Sequence, residues 1–309
     1  MRIVFMGTPE FAVASLDALV KAGKKVVAVV TAPDRPAGRG QKLKPSAVKT
    51  YAIDNGIPVL QPERLKDPKF IAQLSSLKAD LQVVVAFRML PEIVWDMPPL
   101  GTVNLHASLL PHYRGAAPIN HVLINGEAET GVTTFLLQHE IDTGNILFAE
   151  KVAIGPDETA GELHDKLMEV GAAILVKTVN ALEQNSVTPK PQSSFIEGEQ
   201  KKLKSAPKIF REHCHLDWDQ KVDDLHNLIR GLSPYPAAFT ELNGKSIKVF
   251  RSSKEYADSQ NLPAPGMPIS DNKTFLKFSA KDGFIHVLEL QAEGKKKMEV
   301  VDFLRGVKI

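Results

Sequence analysis

Residues 104–118 read NLHASLLPHYRGAAP, with an amide, an imidazole and a hydroxyl on alternate positions ahead of a proline turn. On a β-strand, successive side chains point to opposite faces. Asn104, His106 and Ser108 would then share one face, and Val103, Leu105 and Ala107 the other. Three hydrogen-bonding groups on one face of an apolar sheet carry a desolvation cost unless that face lines a cleft. A lone histidine in such a place is usually a satisfied core residue. An asparagine two positions before it weakens that reading. The turn Leu109-Leu110-Pro111 that follows is apolar, with backbone amides and carbonyls at its rim. It suits a flat heteroaromatic ring that needs hydrogen bonds along its edge.

A carboxylate for this face comes from EIDTGNI, residues 140–146, where Asp142 sits in a turn. Asp before Thr-Gly is common as an Asx-turn; the functional alternative is a carboxylate paired with His106. Residues 31–49, TAPDRPAGRGQKLKPSAVK, set Arg35, Arg39, Lys42, Lys44 and Lys49 against the single acid Asp34, with Gly38 and Gly40 to keep the loop mobile. A charge run is most often a solvated loop. This one follows an apolar strand, at the carboxyl edge where α/β sheets bind ligands, and a basic arm there fits a polyanion. Composition alone does not choose between the two. Lys295, Lys296 and Lys297 are either a solvated hairpin tip or a nucleic-acid contact.

GTPEF at 7–11 lacks the G-x-G-x-x-G that seats a pyrophosphate, which argues against a nicotinamide enzyme. Thr8 as helix cap with Pro9 at the first helical position is one reading of this turn, and an anion at the helix start is the other. His213, Cys214 and His215 stand too close in sequence to chelate one ion well, and no metal is expected.

These groups need a frame. Apolar runs at 2–7, 25–31, 57–60 and 81–87 alternate with helical segments, the pattern of a parallel sheet with crossover helices. Residues 103–106 and 132–137 add two strands, and 160–182 form a long helix. The stretch PKPQSSFIEGEQKKLKSAP is polar and rich in proline, and reads as a linker. Beyond it, Asn243-Gly244 and Asp282-Gly283 each sit between strand-like runs, the signature of hairpins. The expected organisation is a Rossmann-like, mostly parallel α/β domain over 1–188, a linker over 189–206, and a smaller OB-like β-barrel domain over 207–309. A chain of 309 residues suits two domains. Its composition, 43% hydrophobic and 24% charged, is that of a globular protein, and a net charge of +2 leaves any polyanion to be met by a local patch. The single cysteine excludes an internal disulfide and a multi-cysteine zinc site. The apolar run before Gly7 is too short for a signal peptide, and no stretch approaches the roughly 20 apolar residues of a membrane span, so a cytoplasmic protein is expected.

GTPEF at 7–11, PDRPAGRG at 33–40, NLHASLLPHYRGAAPI at 104–119, ETGVTT at 129–134, DTG at 142–144 and GKKKM at 294–298 make the whole chain resemble the methionyl-tRNA formyltransferase family. The resemblance implies 10-formyltetrahydrofolate as formyl donor, initiator methionyl-tRNA as acceptor, no metal, no membrane, and a monomer. It implies Asn104, His106 and Asp142 as the catalytic set. It places Ser108, Leu109, Leu110 and Pro111 against tetrahydrofolate and sets Phe87, Arg88, Met89 and Leu90 along the pterin pocket. Arg88 stands where the family commonly has glycine. Arg39 matches the central arginine of a tRNA-contacting insertion that also holds Arg35, Lys42 and Lys44, and Lys295, Lys296 and Lys297 fall in the tRNA-binding C-terminal domain. N-x-H-x-S-L-L-P with D-T-G marks formyltransferases at large; the basic loop and the β domain are what select tRNA over a small amine. A third reading is a tRNA-binding module without turnover, which the intact Asn-His-Asp set argues against. An α-amino group, with a reference pKa of about 7.7–8.0, is itself a nucleophile near neutral pH, so no Ser or Cys nucleophile is needed. Asn104 and His106 would then serve as donors to the oxyanion, and Asp142 as partner of His106 or acceptor of the amine proton.

Overall fold

The computed structural model describes residues 1–37, 42–196, 203–258 and 262–309. In chain order the elements are β1 (Arg2–Gly7), α1 (Glu10–Lys21), β2 (Lys25–Val30), β3 (Arg35–Ala37), β4 (Lys42–Lys44), α2 (Ala47–Asp54), β5 (Val59–Leu60), α3 (Pro68–Ser76), β6 (Leu81–Val85), α4 (Glu92–Trp95), β7 (Thr102–His106), β8 (Arg114–Gly115), α5 (Pro118–Ile124), β9 (Glu129–Leu136), β10 (Ile146–Ala153) and α6 (Ala160–Glu183). They continue with β11 (Ser205–Ala206), α7 (Val222–Leu232), β12 (Ala238–Leu242), β13 (Lys245–Tyr256), β14 (Pro268–Ser270), β15 (Leu276–Ala280), β16 (Gly283–Ala292), β17 (Met298–Glu299) and α8 (Val300–Leu304). Two compact units result. The first holds Met1–Arg114, Gly131–Val152 and His164–Lys204, and the second Gly115–Thr130, Ala153–Leu163 and Ser205–Ile309.

The first unit is built on a sheet of order β10-β9-β7-β6-β1-β2-β5. Its core pairings are parallel, and β9 runs antiparallel to β7. Ile3, Val4, Phe5 and Met6 are all fully buried, the mark of a central strand covered on both faces. This is the Rossmann-like sheet the alternating pattern predicts. Strand β10 is an addition: its middle, Phe148 to Lys151, is half-buried or exposed, so it lacks the apolar run that reveals the inner strands. Helix α1 begins at Glu10, with Pro9 in the cap position and no side-chain cap bond, so Thr8 is not the cap.

The basic segment after β2 folds back as a hairpin, with Arg35 opposite Lys44 and Pro36 opposite Leu43. Its base is pinned. Asp34 accepts from Lys49 at 2.6 Å and from Gln61 at 2.8 Å, and these two donors hold its carboxyl below the usual range. The expected mobile loop is therefore a paired ribbon where it is described. Gly38, Arg39 and Gly40 lie outside the described residues.

The second unit carries an antiparallel sheet, β12-β13-β16-β15-β14, with β17 added to β16. The register of β13 against β16 shifts between Val249 and Ser252, and such a bulge bends a strand. The OB-like barrel expected here takes the form of this bent half-barrel. Leu225, Ile229 and Leu232 of α7 pack into its core with Val249, Phe278, Ile285 and Leu290. Asn243 and Gly244 have φ of 51° and 72°, a two-residue hairpin turn as predicted. The other hairpin turns one residue earlier than its Asp-Gly signal, with Gly283 already paired in β16. Residues 115–130 and 153–163 group with this unit because Asn120 donates to Gly231 O at 2.7 Å and Arg230 to Gly155 O at 3.1 Å. These bonds join residues on either side of the expected boundaries at 188 and 206. Among the described residues, no helix is long and apolar enough to cross a membrane.

Candidate active site

Strand β7 delivers two of the three expected catalytic side chains. Asn104 is paired with Val84 on one side and Phe135 on the other, and His106 lies opposite Thr133. Leu105 points the other way, into contact range of Gly171 on α6. The predicted alternation holds for Asn104 and His106. It fails for Ser108, because the strand stops at His106. Ser108 is 0% exposed and donates its hydroxyl to His112 O at 2.8 Å. Its carbonyl accepts from Thr133 Oγ1 at 2.7 Å, and Thr133 in turn accepts from Leu110 N at 3.1 Å. The Leu110–Pro111 peptide is cis, and Leu110 packs with Phe135 and Ile146. Ser108, Leu110 and Pro111 are thus turned into the fold, and Leu109 alone of the four keeps partial exposure.

His106 is 6% exposed, with Nε2 2.9 Å from Tyr113 O. A carbonyl oxygen only accepts, so Nε2 carries the ring proton. Nδ1 faces Asp142 Oδ2 at 3.9 Å. That separation is longer than a hydrogen bond. The Asn104 amide is half-buried and, among the described residues, makes no hydrogen bond.

Asp142 sits at φ 54°, a left-handed conformation that Asp tolerates better than most residues. Two residues on, a Cβ at Gly144 would lie 1.6 Å from Leu136 O, so only glycine fits. The loop is held from a third direction. Gln192 Nε2 donates to Asp142 O at 2.7 Å and to Gly144 O at 2.9 Å. Gln192 Oε1 accepts from Arg114 at 3.1 Å and 2.5 Å. Gln192, Arg114 and the Tyr113 carbonyl were not legible as site groups. A backbone carbonyl leaves no trace in residue type, and Gln192 lies in the stretch that reads as a linker.

Around 87–90, Phe87 packs against the buried cluster that holds Val84, Leu90 and Val94. Arg88 donates to the carbonyls of Glu63 and Pro62, with its guanidinium carbon 5.6 Å from the Phe87 ring centre. Burial lowers its pKa below the usual arginine value. Arg88 therefore ties two loops together where a glycine would leave them separate. Met89 is 73% exposed. A cavity of about 1170 Å³ is lined by Arg64, Lys66, Arg88, Met89, Leu90 and the start of α4, among others. Neither Asn104, His106 nor Asp142 lines it. Its α4 wall nonetheless touches the chain leading to Asp142, through Glu92 and His139 at 3.2 Å.

Of the cations expected to meet tRNA, Arg35 and Lys44 are exposed on the hairpin. Lys42 is described for its backbone only. Lys295, Lys296 and Lys297 are exposed at the turn before β17, Lys297 pairing with Glu289 at 2.9 Å. Cys214 is buried, which raises its thiol pKa. Among the described residues, no group of His, Cys, Asp and Glu is placed to hold a metal ion.

Known proteins match this chain along its length. A family model described as formyl transferase covers residues 1–179, and one described as formyl transferase, C-terminal domain, covers 208–308. The methionyl-tRNA formyltransferase of Parabacteroides distasonis is 52% identical over 314 aligned residues, spanning 100% of this chain and 96% of its own. An N-formyltransferase from Helicobacter canadensis, solved with folinic acid and dTDP-3-aminofucose, superposes with a TM-score of 0.67 at 22% identity, covering 94% of this chain and 98% of its own. HypX from Aquifex aeolicus, solved with tetrahydrofolic acid, superposes at 0.65 and 17% identity, covering 98% of this chain and 47% of its own. The last two share the fold. By its full-length relative and by both domain matches, the chain belongs to the formyltransferase family.

Proposed function

We propose that this chain transfers the formyl group of 10-formyltetrahydrofolate to the α-amino group of methionyl initiator tRNA. The observation that carries the chemistry is the buried His106 facing the half-buried Asp142, with an Asn104 amide on the same strand that makes no hydrogen bond among the described residues. The acceptor follows from 52% identity over the full length to a relative of that name.

Formyl transfer to an amine forms one C–N bond and breaks another, with negative charge building on the formyl oxygen between the two. The site must meet that oxygen with donors and remove a proton from the attacking nitrogen. The Asn104 amide is the donor. One such group is worth about 10²–10³ in rate, or about 3–4 kcal/mol. His106 cannot offer Nε2–H, which Tyr113 O already takes. Its contribution comes through Nδ1, which accepts the amine proton, its imidazolium stabilised by the Asp142 carboxylate, and returns that proton to the leaving folate nitrogen as the second C–N bond breaks. This narrows the role expected for His106 as an oxyanion donor.

The cavity beside Arg88, Met89 and Leu90 seats the formyl donor, with Arg64 and Lys66 suited to its carboxylates. Arg35, Arg39, Lys42 and Lys44, with Lys295, Lys296 and Lys297, contact tRNA phosphates in a cytoplasmic monomer. The decisive experiment offers formyl-folate with charged initiator tRNA and, separately, with small amines such as amino sugars. Formyl transfer to tRNA alone is expected. Transfer to a small amine without tRNA would replace this acceptor with the second reading.

A further inference from the structure

Resting on that reading of Asp142, we propose that Gln192 is a positioning residue for the catalytic carboxylate. The side chain is 4% exposed and its amide is used at both ends. Two donors on Arg114 converge on Oε1, and Nε2 reaches the carbonyls of Asp142 and Gly144. Carbonyls accept only, so this seat needs a group that accepts on one side and donates on the other. A neutral amide does both, and a carboxylate cannot. Arg114 follows Tyr113, whose carbonyl fixes the His106 ring. The segment carrying Gln192 is itself anchored, with Lys190 and Ile146 exchanging two backbone bonds of 2.8 and 2.9 Å.

A closed ring results: His106 to Tyr113, along the chain to Arg114, across Gln192 to the Asp142 backbone, and back from the Asp142 carboxylate to His106 Nδ1. Gln192 touches no reacting atom. It sets the position of a loop residue that otherwise holds an uncommon φ. Displacement by about 1 Å of a group outside the chemistry can cost about 10²-fold in rate.

The test is a double-mutant cycle on the full chain, assayed with charged initiator tRNA and formyl-folate. Gln192→Ala should lower kcat by up to about 10²-fold with KM for both substrates unchanged. Gln192→Glu keeps the acceptor for Arg114 and loses the donors. It should lower kcat at least as far, and kcat read well below the melting temperature measured for each variant covers the case of a poorly folding alanine variant. In an Asp142→Asn background, neither change should lower kcat further, because the pair acts as one unit. An equal loss in both backgrounds, or wild-type kcat in both Gln192 variants, overturns the positioning role. Wild-type kcat in Asp142→Asn alone overturns the reading of Asp142 itself, a separate outcome.

Discussion

The site has a ladder-borne half and a loop-borne half. Asn104 and His106 ride on a strand paired on both sides. Their direction follows from strand geometry, and backbone hydrogen bonds hold it. Asp142 rides on a loop, where position comes from a left-handed φ, a glycine pressed against Leu136 O, and a buried glutamine from 50 residues away. The two halves are held in place by different means. The first depends on local pattern and the second on long-range fit.

The sharpest way to break this comparison is to delete the ladder side. His106→Ala should lower kcat by about 10²–10⁴ and Asn104→Ala by about 10²–10³, each with KM little changed, read from steady-state formylation of initiator tRNA. A rise in KM alone would move these residues from chemistry to binding. Next comes the loop side. Gly144→Ala sets a methyl against Leu136 O and must displace the Asp142 loop, so kcat should fall by about 10²-fold while the melting temperature drops modestly. If turnover survives, the loop is more plastic than its packing implies.

Smaller effects belong away from both halves. Arg35→Ala with Lys44→Ala should leave kcat intact and weaken tRNA binding. The dependence of that binding on salt should become shallower, by about one in the log–log slope for each phosphate no longer neutralised. The smallest effect is in the second unit. Burial raises the Glu162 pKa, but the Thr159 amide and hydroxyl and the Arg251 guanidinium outweigh it and hold the carboxyl at about 2. The unfolded chain binds the proton more readily, so this stability is present above pH 4.5 and is lost as pH falls from 4.5 toward 2. Glu162→Gln should flatten that stretch of the melting-temperature profile and leave kcat at neutral pH unchanged.

What could be read from sequence follows the same division. Alternation over 103–106 is a local property of the chain, and it placed Asn104 and His106 correctly. Extending it to Ser108 failed because the strand ends where the chain must turn to bring Tyr113 O back to the imidazole. Asp142 was identifiable as a turn residue and, by resemblance, as a catalytic candidate, yet nothing nearby tells how it is held. Asn243-Gly244 declared its hairpin because the turn's φ angles are imposed by those two residues. Gln192 did not declare itself, since proline and polar neighbours describe a linker equally well. The second unit's claim on 115–130 and 153–163 was hidden for the same reason: its bonds join residues up to a hundred or so positions apart.

The anchoring of Lys190 and Gln192 bears on how such proteins can be recombined. The two family matches leave residues 180–207 between them as an obvious place to splice halves from different relatives. A junction placed before Gln192 would hand the carboxylate's brace to a foreign parent and give a chimera that folds and turns over poorly. A junction placed after it would keep the brace with the strand and loop it was shaped for.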